Sequence, residues 1–292
     1  MYVPTPSRYR MTRASFDVIS VFGCIGAVAL PGPAFAAVLA RRGYSAVSVR
    51  NQLVRMVDRG LLRREKAGRV SIYHRAPALG GEFDLYSGAA EPDGFDGSFP
   101  ALLVTIPEYR RGDRDRVLHV ARHCGYRTLR PGVLISVRGR AEELRERLQH
   151  AVGDRDGIDH CRIAPESDAQ ARDWARHAFT TSEDRGAVGR LEERYRELGQ
   201  DPAPTHARYF DLFYDAAMLI EDTEVLPEML RGQDGDVGLR ARRLMGTLVE
   251  FWATAFAGEQ VSEVLSLPGG SLVQWDEVFW ARVGQPVPGA TR

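Results

Sequence analysis

Val18 to Ala40 contains no charged residue, and that run sets the first constraint on the fold. It is long and apolar enough to need burial, yet Pro31-Gly32-Pro33 interrupts it. Proline removes a backbone donor and clashes with the preceding turn, so a single membrane-spanning helix is a poor reading. Arg8, Arg10 and Arg13 precede the run, and Ala34-Phe35-Ala36 resembles a signal-peptidase site, which leaves a secretory leader as a competing reading. Against it, Arg41-Arg42-Gly43 leads directly into a second motif that cleavage would strip of its core. The stretch is therefore read as two buried helices, residues 15–26 and 33–42. Pro33 suits a first helical position, and Gly43 suits a stop.

A third helix is expected over residues 46–59, with Ser45 as its cap and Gly60 as its end. At ~100° per residue, Val49, Leu53, Met56 and Val57 gather on one side, while Ser48, Asn51, Arg55 and Arg59 gather roughly 140° away. Arg50 lies on the other flank. Guanidinium and amide groups held outward by an apolar seam suit the major groove: Arg can bond guanine O6 and N7, and Asn can pair with adenine N6 and N7. Two short strands follow, 61–64 and 70–74, joined by Glu65-Lys66-Ala67-Gly68. Lys66 and Arg69 then lie at a Gly-tipped turn, placed to touch the DNA backbone or minor groove. The expected DNA contacts are Ser48, Arg50, Asn51, Gln52, Arg55, Arg59, Lys66 and Arg69.

Charge is distributed to match. Residues 1–75 hold 13 Lys and Arg against three acids, so they carry +10 and the remainder −10, although the whole chain is neutral. A basic head on an acidic body is the pattern of a phosphate-binding module on its carrier, although a charged surface without a partner would look the same. Cys24, Cys124 and Cys161 are odd in number and far apart, which gives neither a disulfide framework nor a zinc spacing and fits a reducing cytoplasm.

Further along, residues 76–98 are rich in Gly, Pro, Asp and Glu and read as a linker, whose middle, 82–86, is a candidate short strand. Residues 99–166 read as strand, helix, strand, strand, helix, strand, the order of a ferredoxin-like domain, with Arg130-Pro131-Gly132 as the turn between the middle strands. Amphipathic helices are expected at 168–178, 183–198, 206–221 and 239–257, and the tail from Leu267 is broken by Pro and Gly. The expected fold class is α+β and multidomain: a winged helix (1–78), a linker (79–98), a ferredoxin-like domain (99–166) and a mostly helical C-terminal domain (167–292).

Two blocks carry a family resemblance. Val49-Arg50-Asn51-Gln52-Leu53-Val54-Arg55-Met56-Val57-Asp58-Arg59-Gly60-Leu61-Leu62, followed by Gly68-Arg69-Val70-Ser71-Ile72-Tyr73, resembles the winged helix of the PaaX family, repressors of phenylacetic acid degradation operons. Pro107, Arg116, Leu118 and the run Gly125-Tyr126-Arg127-Thr128-Leu129-Arg130-Pro131-Gly132-Val133-Leu134-Ile135-Ser136 resemble that family's central domain, which looks like the CRISPR-associated Cas2 fold. Leu226-Pro227-Glu228-Met229-Leu230 resembles a further family step, but the Asp-Pro expected before it and the Trp-Pro-Gly expected after it are absent. The resemblance implies a repressor, released from DNA by a small-molecule effector such as an aryl-CoA thioester.

Enzyme readings find less support. The first central strand, Leu102-Leu103-Val104-Thr105-Ile106-Pro107, lacks the aspartate that a Cas2-type metal site needs, so no nuclease chemistry is expected. His119 and His123 stand four apart on a helix but without a zincin glutamate or a third ligand. Asp154, Asp156 and Asp159 miss calcium-loop spacing and read as a polar turn. Aromatic residues from Tyr209 to Phe256 recur at helical spacing and read as core before they read as a pocket. Arg240, Arg242 and Arg243 are candidates to meet an anionic effector. No cofactor or metal is expected. The expectation is a cytoplasmic homodimeric regulator on inverted-repeat duplex DNA; a metabolic enzyme or interaction module retaining a winged-helix start is the alternative.

Overall fold

The computed structural model describes residues 12–76, 94–138, 140–152, 157–232 and 235–289. The expected strand at 82–86, Asp154, Asp156, and the linker up to residue 93 fall outside them. The described residues form an α+β structure with eleven α-helices and two four-stranded antiparallel sheets. Among them, no helix is long and apolar enough to cross a membrane. Two compact units emerge, one of Met1–Ala89, Leu191–Met218 and Arg242–Arg292, the other of Ala90–Arg190 and Leu219–Ala241.

The first unit opens with α1 (Arg13–Ile25), β1 (Ala27–Pro31), α2 (Gly32–Ala40), α3 (Ala46–Asp58), β2 (Leu62–Ala67) and β3 (Val70–Arg75). The uncharged run is thus divided into helix, strand and helix. Thr12 caps α1 by accepting from Ser15 N, and Gly26, at φ +66°, ends it. Only glycine enters the left-handed region at low cost, which lets the chain reverse into β1 within one residue. Ala27, Ala29 and Leu30 are buried, and β1 lies between β3 and β8 (Gln274–Trp275) in the order β2-β3-β1-β8. A strand flanked on both edges and buried along most of its length loses the polar–apolar alternation by which strands are found, so the sequence reading passed over it. Ala34 and Phe35, in the signal-peptidase-like triplet, are buried inside α2. Phe35 packs edge-on against both Phe22 and Tyr73, joining α2 to α1 and to β3.

The same unit continues with the 191–200 part of α7 (Ser182–Gln200), the 206–218 part of α8 (His206–Asp222), the 242–255 part of α9 (Val237–Ala255), α10 (Ala257–Ser266) and α11 (Glu277–Arg282). Tyr209, Phe210, Trp252 and Phe256 form one aromatic core with ring centroids 4.8–6.0 Å apart. The tail from Leu267 is stitched to the N-terminal sheet. Asp276 N and Trp280 Nε1 both donate to Gly26 O at 2.9 Å, and Arg75 pairs with Asp276 at 3.0 Å. A Cβ on Gly26 would lie 2.3 Å from the Phe279 ring, so this position is glycine for space as well as for φ.

In the second unit, β4 (Phe99–Val104), α4 (Arg111–His123), β5 (Tyr126–Arg130), β6 (Val133–Ser136), α5 (Ala141–Val152) and β7 (Ile158–Ile163) form a sheet in the order β5-β6-β4-β7. Alternation sends Leu102, Val104, Tyr126 and Leu134 to one face, against Val117, Ala121, Leu144 and Leu148 of α4 and α5. Phe99, Ala101, Leu129 and Ile135 face the other way. That second face is covered by Ala171, Ala175 and Phe179 of α6 (Asp168–Phe179) and by Leu226 and Leu230, all placed in the C-terminal segment by the sequence reading. Asp236 holds this cover in place, its buried carboxylate accepting from Leu226 N and Leu239 N at 2.6 Å each.

Candidate nucleic-acid interface

Helix α3 is fixed on the first unit by buried polar contacts as well as by its apolar seam. Val49, Leu53 and Met56 are at most 2 % exposed, as the sequence predicts. Gln52, expected among the DNA contacts, is instead buried, and its Nε2 donates to Ser15 Oγ at 2.8 Å. That contact corrects the reading: a satisfied amide can join the core, and it rolls the helix so that Val57 is only half-buried. At the start of α3, Ser45 Oγ accepts from Ser48 N at 3.1 Å. One residue earlier, Tyr44 donates its hydroxyl to the fully buried Asp17 at 2.8 Å. Burial, and then the bond to the Asp17 carboxylate, push the Tyr44 hydroxyl up to about 12, so it stays a donor at every physiological pH.

The remaining predicted residues are exposed. Ser48, Arg50, Asn51 and Arg55 lie on the outer half of α3, and Arg59 follows as its C-cap. Arg55 Nε reaches back to Asn51 O at 3.4 Å, a contact too long to hold the side chain firmly. The hairpin is longer than expected. Pairing runs from Leu62↔Arg75 to Ala67↔Val70, leaving Gly68 and Arg69 as a two-residue turn with Gly68 at φ +60°. Lys66 and Arg69 are exposed at its tip, and Arg63 and Arg64, not singled out from sequence, are exposed along β2. Both lie in the strand expected at 61–64, where their charge beside a basic turn was the available signal.

Salt bridges sort the N-terminal cations into two classes. Arg13 and Arg42 pair with Asp211 at 2.6 and 3.0 Å, Arg41 with Glu259 and Glu263 at 3.0 and 2.8 Å, and Arg75 with Asp276. Burial alone would raise the Asp211 carboxyl, but hydrogen bonds from Arg13 and Arg42 hold it below the usual range. By contrast, among the described residues none forms a salt bridge with Arg50, Arg55, Arg63, Arg64, Lys66 or Arg69. The acids of this unit neutralise Arg13, Arg41, Arg42 and Arg75, which brace the fold, and leave these six cations without a salt bridge among the described residues. The exposed acids nearby are Asp58 and Glu65, and Glu65 lies 3.4 Å from His74. An exposed, uncompensated cluster of cations attracts polyanions.

No protein-family model matches the chain, and no curated protein is significantly similar to it. Among solved structures, the uncharacterized protein Rv0674 from Mycobacterium tuberculosis is similar with a TM-score of 0.59 at 17 % identity, over 82 % of this chain and 95 % of that one. At that identity the likeness is one of fold.

Other residues weighed from sequence are placed as follows. Among the described residues, no group of three or more His, Cys, Asp or Glu is arranged to hold a metal ion. The His119 and His123 rings are 4.2 Å apart on α4. Cys24 and Cys124 are buried, and Cys161 is half-buried. Of the arginines considered for an anionic effector, Arg242 is buried and Arg243 is exposed.

Proposed function

We propose that this protein is a sequence-specific DNA-binding transcriptional regulator that inserts α3 into the major groove of duplex DNA. The observation that carries this reading is the exposed set Arg50, Arg55, Arg63, Arg64, Lys66 and Arg69, with no salt bridge among the described residues, in a unit that neutralises Arg13, Arg41, Arg42 and Arg75. The element order helix, strand, helix, helix, hairpin, with β1 paired to β3, supports a winged-helix head and with it the same reading. In it, Asn51 and Arg55 read base edges, while Arg50, Lys66 and Arg69 position the protein on phosphates.

The rest of the proposal builds on this head. The βαββαβ order of the second unit supports a ferredoxin-like domain. Together with the quoted residues, it favours a PaaX-like repressor acting in the cytoplasm. Such a regulator binds an inverted repeat as a homodimer, because twofold protein symmetry matches pseudo-palindromic DNA. A small-molecule effector, of which an aryl-CoA thioester is the class implied by the resemblance, releases DNA if it binds the non-binding state more tightly. The role assigned is binding, not catalysis.

A gel-shift with the DNA upstream of the protein's own gene tests the reading. Retardation by the intact chain that survives excess unrelated duplex is the expected result. Equal competition by any duplex would remove sequence specificity from the proposal.

A further inference from the structure

The outermost line of α3 differs from the arginine stripe that the sequence suggests. With Val49, Gln52, Leu53 and Met56 buried, the helix direction farthest from the core passes through Val47, Asn51, Val54 and Asp58. Val47 is 64 % exposed and Val54 39 %. β-Branched side chains are mediocre helix formers, and exposed apolar surface gains nothing from burial, so neither propensity nor packing accounts for valines here. They stand seven residues apart, ~10 Å along the axis and about three base-pair steps, with Asn51 between them.

We propose that Val47 and Val54 read the 5-methyl groups of thymine on either side of an Asn51–adenine contact, so that each half-site presents A·T pairs along the path of α3. This rests on the DNA-binding reading above and specifies what that site recognises. The thymine methyl is the apolar group a base pair exposes in the major groove, and adenine is the base that asparagine pairs with bidentately. Charge complementarity selects DNA over a protein partner: Arg50 flanks the stripe on one side and Arg55 on the other, and neither is neutralised by a carboxylate among the described residues. Asp58 ends the stripe at the helix C-terminus. The N-terminal end, where the helix dipole is positive, therefore leads into the groove, with Val54 following one turn behind Asn51.

The test begins by selecting tight-binding duplexes from a randomised pool with the full chain. Each thymine of the selected site is then replaced singly by uracil, which removes only the methyl group. Wild-type affinity is expected to fall about three- to tenfold at two thymine positions per half-site. Val47→Ala and Val54→Ala should each lose that sensitivity at one position while melting at the wild-type temperature. Uracil tolerated at every position, or valine variants with undiminished sensitivity, would overturn the methyl-reading assignment while DNA binding stood. Failure of the pool to enrich any sequence would overturn the DNA reading itself, and this assignment with it.

Discussion

Gln52 shows, at the scale of one residue, how a polar side chain can serve the core. Polarity assigned it to the DNA side, but Ser15 Oγ lies 2.8 Å from its amide nitrogen, so it braces α3 against α1. Gln52→Ala should cost about 1–2 kcal/mol of stability, read from the urea midpoint, because it removes a buried hydrogen bond. The exposed residues behave differently. Arg55→Ala should cost roughly 1–3 kcal/mol of binding and relax preference at one base position; unchanged base preference would remove Arg55 from the reading face. Arg69→Ala should weaken all duplexes alike and flatten the salt dependence by about one unit of slope, and a loss confined to one sequence would contradict its phosphate role. His206 supplies a pH signature. Burial lowers its pKa, and the Arg41 guanidinium, with Nη1 3.0 Å from Nε2, lowers it further. The unfolded chain therefore takes up this proton first. Stability should fall as pH drops below the ordinary histidine value of about 6.5, and His206→Gln should flatten that part of the profile in urea melts from pH 7.5 to 5.

At the scale of elements, legibility followed periodicity. Helix α3 and the strand–helix order of the second unit were readable because one face of each is buried and the other solvated, as Val49 and Arg50 or Ala121 and Arg122 illustrate. β1 was not, because its neighbours β3 and β8 take both edges and Ala27, Ala29 and Leu30 are all buried. Nor was β8, whose partner lies some 250 residues away and whose pairing leaves no local trace. The exposed valines of α3 were legible only once Gln52 had set the helix's rotation. The tail clasp carries its own prediction. Trp280→Phe keeps the ring packing and loses the bond to Gly26 O, so it should cost about 1 kcal/mol. Gly26→Ala places a methyl in the Phe279 ring at a left-handed φ and should cost about 3 kcal/mol. Equal melting temperatures for the wild type and Gly26→Ala would mean that the clasp does not form.

Over the whole molecule, neutrality conceals a division of labour. Acids contributed by later segments, Asp211, Glu259, Glu263 and Asp276, balance Arg13, Arg41, Arg42 and Arg75, while Arg50, Arg55, Arg63, Arg64, Lys66 and Arg69 are exposed and form no salt bridge among the described residues. The most direct test is a titration of fluorescently labelled duplex, taken from upstream of the gene, with the intact protein at salt concentrations from 50 to 300 mM. Log affinity should fall linearly with log salt at about −0.9 per phosphate contacted, and replacing Arg63, Arg64, Lys66 and Arg69 together with glutamine should make the slope shallower. No binding at 50 mM salt, or a slope that the quadruple variant leaves unchanged, would contradict the assignment of these side chains to DNA.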